Sequence, residues 1–216
     1  MIRGVIFDLD GVLVTTDEFH YLGWKRLADE EGIPFNRGIN HRLRGVSRMA
    51  SLEILLERSP RTYSDDEKAR LAERKNSYYL GHLERLTPKD ALPGAREILA
   101  ELRRRGIRTA VASSSRNAPA IMSRVALEGA VDAMADGNDI THSKPHPEVF
   151  LIAAKRLGLP PQECLVVEDA EAGIEAGRRA GMAVFGIGSR ETLPGVARLA
   201  ASLAETTVDD LLAVDR

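Results

Sequence analysis

An α/β fold with a parallel sheet, interrupted by an inserted all-helical domain, is what this 216-residue sequence predicts. Three observations lead there. The apolar run Val5-Ile6-Phe7 breaks at Asp8-Leu9-Asp10-Gly11, as a buried strand does where it reaches a turn. From about Thr16 to Thr87 no strand pattern occurs. From Pro88 onward strand-length apolar runs alternate with helical ones, the pattern of a sheet covered on both faces. The division is therefore a core from residues 1–15 and 88–216, and a helical cap over 16–87.

Each element has its own signals. Asp17 to Glu31 carries helical periodicity and is stopped by Gly32 and Pro34. Short helical pieces follow, separated by Gly38 and by Arg44-Gly45-Val46-Ser47-Arg48. Ser64-Asp65-Asp66-Glu67 is a capping box, predicting a helix to about Leu80. Pro88 to Gly94 is the return linker. After it, Ala95, Ile98, Leu99 and Leu102 form one helical face, and Arg103-Arg104-Arg105 suits the negative end of that helix dipole before Gly106. Arg108–Ala112, Val131–Ala135, Leu165–Val167 and Ala183–Ile187 are predicted strands. Asn117–Leu127, Pro147–Leu157 and Ala172–Ala180 are predicted helices between them, and no strand is predicted beyond Ile187.

Composition narrows the function. With 44% apolar residues, 29% charged and a net charge of −2, the chain is ordinary globular protein with no bias toward nucleic acid. No apolar run approaches the roughly 18 residues that span a bilayer. Asp8 and Asp10 interrupt the first apolar segment too early for a signal peptide. Cys164 is the only cysteine, which excludes an intrachain disulfide and fits a reducing, cytoplasmic setting. A monomer acting on small molecules is the expectation.

The chemistry gathers at predicted strand ends, where open α/β sheets bind ligands. Asp8 and Asp10, two residues apart, leave an extended chain on the same side. Carboxylates that close repel unless a cation joins them or one holds a proton. Ser113-Ser114-Ser115-Arg116-Asn117 offers hydroxyls and N–H groups at a helix start, a natural phosphate cradle. Lys144 precedes another helix, and Glu168-Asp169 closes an apolar strand with further hard oxygen ligands. Each signal alone is weak, since a bare Asp-x-Asp is more often a solvated strand end.

Together and in this order, these motifs resemble the haloacid dehalogenase superfamily over the whole chain. The resemblance implies a Rossmann-like core with a helical cap inserted after the first strand. It implies that Asp8 is a nucleophile, Asp10 a general acid/base, and Ser113 and Lys144 phosphate ligands. It further implies Mg²⁺ held by Asp8, Asp10 (through its carbonyl), Glu168 and Asp169. The cap residues His20, Trp24, Arg44, Gly45, Val46, Ser47, Arg48, Ser51 and Lys75, with Ser114, Ser115, Arg116 and Asn117, resemble the superfamily's phosphoglucomutase branch. By that resemblance they bind substrate, with Arg48, Ser115, Arg116 and Asn117 on a second phosphate. The implied reaction interconverts β-glucose 1-phosphate and glucose 6-phosphate through an aspartyl-phosphate and a 1,6-bisphosphate. A sugar-phosphate phosphatase of the same fold is the alternative, and a non-catalytic metabolite-binding protein a more distant one. Arg44 and Arg116 stand where that branch carries lysines, and Thr15 where an Asp is common.

Overall fold

The computed structural model describes residues 1–213. Its sheet contains β1 (Gly4–Phe7), β2 (Arg108–Ala112), β3 (Ala133–Ala135), β4 (Cys164–Glu168), β5 (Ala183–Ile187) and β6 (Leu199–Ala200). All pairings are parallel and the order is β3-β2-β1-β4-β5-β6, so the first strand lies in the interior of the sheet. The chain leaves β1 toward β2 on one side and later returns to β4 on the other. That reversal places the strand ends carrying Asp8, Ser113 and Asp169 around a topological switch point.

Side-chain alternation distributes β1 between two cores. Val5 and Phe7 join Val111, Leu165 and Val167 against α5 (Ala95–Arg104), α6 (Ala118–Arg124) and α9 (Val208–Leu212). Ile6 faces the opposite layer with Ala110, Ala112 and Val166, packed on α7 (Glu148–Leu157) and α8 (Glu171–Arg179). A strand buried on both faces must be apolar throughout, which is why β1 reads as a continuous run.

The stretch between β1 and α5 is helical: α1 (Asp17–Glu31), α2 (Arg37–His41), α3 (Arg48–Leu56) and α4 (Asp65–Leu83). These helices share a third cluster that includes Trp24, Leu27, Ile39, Leu52, Leu55 and Leu71. The far end of α4 behaves differently, because Tyr79 and Leu83 pack into the core cluster beside Leu13 and Val14. Ser64 and Glu67 form the reciprocal capping box at the start of α4. Left-handed Gly32 closes α1, with φ of 68°.

Beyond one-residue shifts at α7, α8 and β4, boundaries differ from the sequence expectations in several places, the first being Gly38, expected to separate helical pieces but lying inside α2. The fourth helix runs three residues past Leu80, because Tyr79 and Leu83 are buried and extend its apolar face. The helix expected over Asn117–Leu127 is only α6, since Ala126 adopts a positive φ of 52° and breaks the ladder. The strand expected from Val131 begins at Ala133. A two-residue β6 extends the sheet beyond the last predicted strand, and so short a segment carries no periodic signal of its own.

Candidate active site

A cavity of about 470 Å³ opens between the strand ends and the helical insertion, within the size range of small-molecule sites. Of the predicted site residues, Asp8, Asp10, His20, Trp24, Arg44 to Arg48, Ser51, Lys75, Ser113 to Asn117 and Asp169 line it. Lys144 and Glu168 do not line the cavity; they are fully buried.

Asp8 follows directly on β1, its N–H bonded to the Val167 carbonyl at 2.9 Å. The Lys144 ammonium donates to Asp8 Oδ1 at 2.5 Å, to Glu168 Oε1 at 2.8 Å and to the Ala112 carbonyl at 3.2 Å. Its three donors are thus all used. Burial opposes the Lys144 charge, yet Asp8 and Glu168 outweigh burial and raise its pKa further. Glu168 also accepts from the Ala170 N–H at 2.7 Å, which ties it to the start of α8. The close approach of α8 requires Gly173, where a Cβ would come within 1.7 Å of Glu168 Oε1.

Asp10 sits differently. It accepts from the Thr16 N–H at 2.6 Å and from the Thr16 hydroxyl, which in turn lies 2.9 Å from the Tyr79 hydroxyl. Burial, then the negative charge of Asp17, push the Asp10 carboxyl up to about 7, against the hydrogen bonds from Thr16. A carboxyl with that pKa can both give and take a proton near neutral pH. Beside it, His20 Nε2 is 3.7 Å from Asp10 Oδ2, while His20 Nδ1 is 2.8 Å from Lys75 Nζ. Burial, aided by Arg48, holds Lys75 well below the usual lysine range, although its ammonium also faces the Trp24 and Tyr79 rings at 4.7 Å each. Burial and the charges of Lys75 and Arg48 likewise depress His20.

Carboxylate oxygens of Asp8, Glu168 and Asp169 lie within 4.8 Å of one another. Burial and the charges of Glu168 and Asp8 raise Asp169 well above the carboxylate range, and Arg44 answers it with a contact of 2.6 Å to Oδ2. Arg44 also reaches Asp17 at 3.0 Å. Buried hard-oxygen donors short of positive charge fit a small divalent cation such as Mg²⁺.

The insertion brings a different kind of charge. Arg48 is 3.1 Å from Glu73, a carboxylate whose side chain is 73% exposed. Burial and the nearby Arg116 lower the Arg48 pKa, with Glu73 only partly compensating. Arg48, Arg116 and Lys75 thus line one cavity, with Glu73 the carboxylate paired to Arg48. Direct ties span the two halves: Ser114 donates to the Gly45 carbonyl at 3.2 Å, and Asn117 Nδ2 to Asn76 Oδ1 at 3.0 Å. Ser51 is buried, its hydroxyl 3.5 Å from the Leu43 carbonyl.

Sequence reasoning passed over Asp17, Glu73 and Tyr79 as site residues. Tyr79 was visible as the i+4 neighbour of Lys75 on one helical face. Asp17 and Glu73 had no signal beyond being helix-surface acids.

The switch-point carboxylates, buried lysine and covering helices define an α/β enzyme core with acidic residues positioned to bind a divalent metal. The chain belongs to the haloacid dehalogenase-like hydrolase family, whose model matches residues 2–181. It is 42% identical to a β-phosphoglucomutase of Bacillus subtilis, over 96% of this chain and 92% of that protein. It is also 31% identical to a phosphorylated carbohydrates phosphatase of Thermotoga maritima, over 86% and 85%. A crystal structure of a Clostridium difficile β-phosphoglucomutase superposes with a TM-score of 0.93 at 37% identity, covering 97% of this chain and 95% of that one. No described helix is long and apolar enough to cross a membrane.

Proposed function

We propose that the protein is a β-phosphoglucomutase, interconverting β-D-glucose 1-phosphate and glucose 6-phosphate, with residues 16–87 acting as a cap domain over the core. The observation that carries this reading is the placing of basic groups at two ends of one cavity: Lys144, buried behind the cavity wall against Asp8, and Arg48 with Arg116, which line the cavity where the cap meets the core. A phosphatase needs one phosphate site. An enzyme that holds a sugar bisphosphate in either orientation needs two, and Arg presents paired donors that match phosphate oxygens. The 42% identity to the Bacillus subtilis mutase supports the same reading.

In this mechanism Asp8 is the nucleophile. Phosphorylated Asp8 gives its phosphoryl group to the free hydroxyl of the sugar monophosphate, forming a 1,6-bisphosphate. After the bisphosphate reorients, the freed Asp8 carboxylate oxygen attacks its other phosphorus, that phosphate–sugar bond breaks, and the aspartyl-phosphate is restored. Asp10 takes the proton of the attacking hydroxyl in the first transfer and gives it to the departing sugar oxygen in the second, so the proton balance closes over a cycle. Thr16 orients Asp10 for both tasks through its N–H and its hydroxyl. Lys144 neutralises charge on the transferring group. Mg²⁺, held by the carboxylates of Asp8, Glu168 and Asp169 with the Asp10 carbonyl, would supply further electrostatic stabilisation there. Arg48, Arg116, Ser115 and Asn117 bind the idle phosphate, and closure of the cap excludes water.

The phosphatase relatives define the alternative, in which water attacks phospho-Asp8. Incubation with β-glucose 1-phosphate, with and without a priming glucose 1,6-bisphosphate, separates the two. The mutase forms glucose 6-phosphate, accelerates with priming and releases little inorganic phosphate. Release of phosphate at the rate of substrate loss would replace this reading with the phosphatase one.

A further inference from the structure

Away from the cavity carboxylates, the loop that carries Lys144 is flanked by a second group of metal-ligating side chains. His142 and His146 stand on either side of Ser143-Lys144-Pro145, and Glu148 opens α7. His142 Nδ1 is 3.3 Å from Glu148 Oε2 and His146 Nδ1 is 3.8 Å from the same oxygen. The three ligand atoms lie within 4.8 Å of one another, and the two imidazoles are tilted together with centroids 4.7 Å apart. We infer that His142, His146 and Glu148 form a surface site for a borderline divalent transition-metal ion of the Zn²⁺ type, separate from the carboxylate site at Asp8.

Ligand chemistry sets the class of ion. Two imidazole nitrogens and one carboxylate suit Zn²⁺ and its neighbours rather than Mg²⁺ or Ca²⁺, which take oxygen. Zinc bonds of about 2.0–2.1 Å in a tetrahedron put donor atoms about 3.3–3.5 Å apart. The His142–Glu148 separation of 3.3 Å already matches, and His146, 3.8 Å from the same oxygen, closes in by rotation of its exposed ring. Glu148 is pre-oriented, since it accepts from the Thr141 N–H at 3.1 Å and the His142 N–H at 2.8 Å. Such an outer hydrogen-bond set holds a ligating carboxylate in place. Water completes the fourth position, because the histidine side chains are 64% and 51% exposed. An ion there joins both ends of the loop around Lys144, whose ammonium contacts Asp8.

The test uses the full chain with Mg²⁺ in excess and Zn²⁺ as the probe, followed by calorimetric titration and by the thermal unfolding midpoint. One Zn²⁺ binds in the micromolar range and raises the midpoint. His142→Ala and His146→Ala each weaken binding about tenfold or more, and the double variant removes both signals. Glu148→Gln, which keeps a hydrogen-bond acceptor for the loop, also weakens it. Asp169→Asn leaves Zn²⁺ binding intact. Undiminished binding in the double histidine variant, loss of binding with Asp169→Asn, or no micromolar binding to the unmodified protein each overturns the site. Circular dichroism of the variants before titration confirms that the exposed substitutions leave the fold unchanged.

Discussion

The two halves of the candidate active site are built on different principles. On the core side, Lys144 is fully buried and every one of its donors has a partner, two of them carboxylates. On the cap side, Arg48 has one exposed, freely solvated acid as its partner and a like charge nearby. Breaking a buried, fully bonded set costs several kcal/mol, whereas an exposed ion pair contributes little. The core half is thus rigid before substrate arrives, and the cap half keeps cations available for an anion. Under the proposed function, the comparison assigns each task a place: bond making at the fixed groups, selection and closure at the unsatisfied ones.

Removing the fixed nucleophile should have the largest effect. Asp8→Asn keeps shape and one acceptor for Lys144 but cannot form an acyl phosphate. Turnover in a coupled glucose 6-phosphate assay should vanish. Retention of even about a tenth of the rate would move the nucleophile elsewhere and erase the contrast between the halves.

Arg48→Ala tests the other half. Loss of a charge-assisted paired contact to phosphate costs on the order of 2–4 kcal/mol, roughly 30- to 1,000-fold. Mutase turnover should fall by that order, while phosphorylation of Asp8 by acetyl phosphate stays nearly unchanged. Equal loss in both assays would make Arg48 part of the fixed half.

The Asp10 carboxyl, at about 7, gives a pH signature without substrate. The folded protein holds a proton on Asp10 that the unfolded chain releases near pH 3.8. Stability linked to this group is therefore fully present below about 3.8 and lost as pH rises through about 7. Asp10→Asn removes that loss. In metal-free buffer the variant's advantage in unfolding free energy should grow by about 1–3 kcal/mol between pH 5 and pH 8. A constant difference across that range would mean Asp10 is ionised throughout.

A smaller effect is expected where the halves are merely tied together. Asn76→Ala deletes the acceptor for Asn117 across the cap–core boundary. One neutral hydrogen bond is worth about 0.5–1.5 kcal/mol, so KM should rise about 2- to 12-fold with the acetyl phosphate reaction unaffected. A loss as large as that of Arg48→Ala would show that closure, rather than phosphate binding, dominates the cap's contribution.

Much of this arrangement is written locally in the chain. The β1 run, the Ser64 capping box, the Gly32 stop and the Arg108–Ala112 and Ala183–Ile187 strands depend on neighbours within a few residues, so periodicity and caps were enough to find them. Asp8, Ser113 and Asp169 were legible as a group because an alternating βα chain must bring its strand ends to one edge. Tertiary structure alone decided which charges meet. Arg44 lies 125 positions from Asp169 in sequence, Asn76 lies 41 from Asn117, and no periodicity links such pairs. It alone buried Asp10 beside Asp17, and so pushed an ordinary carboxyl up to about 7. The physical reason is range: helix and strand signals act through adjacent backbone. Desolvation and Coulomb interaction act through space, and a sequence specifies them only after the fold has chosen the neighbours.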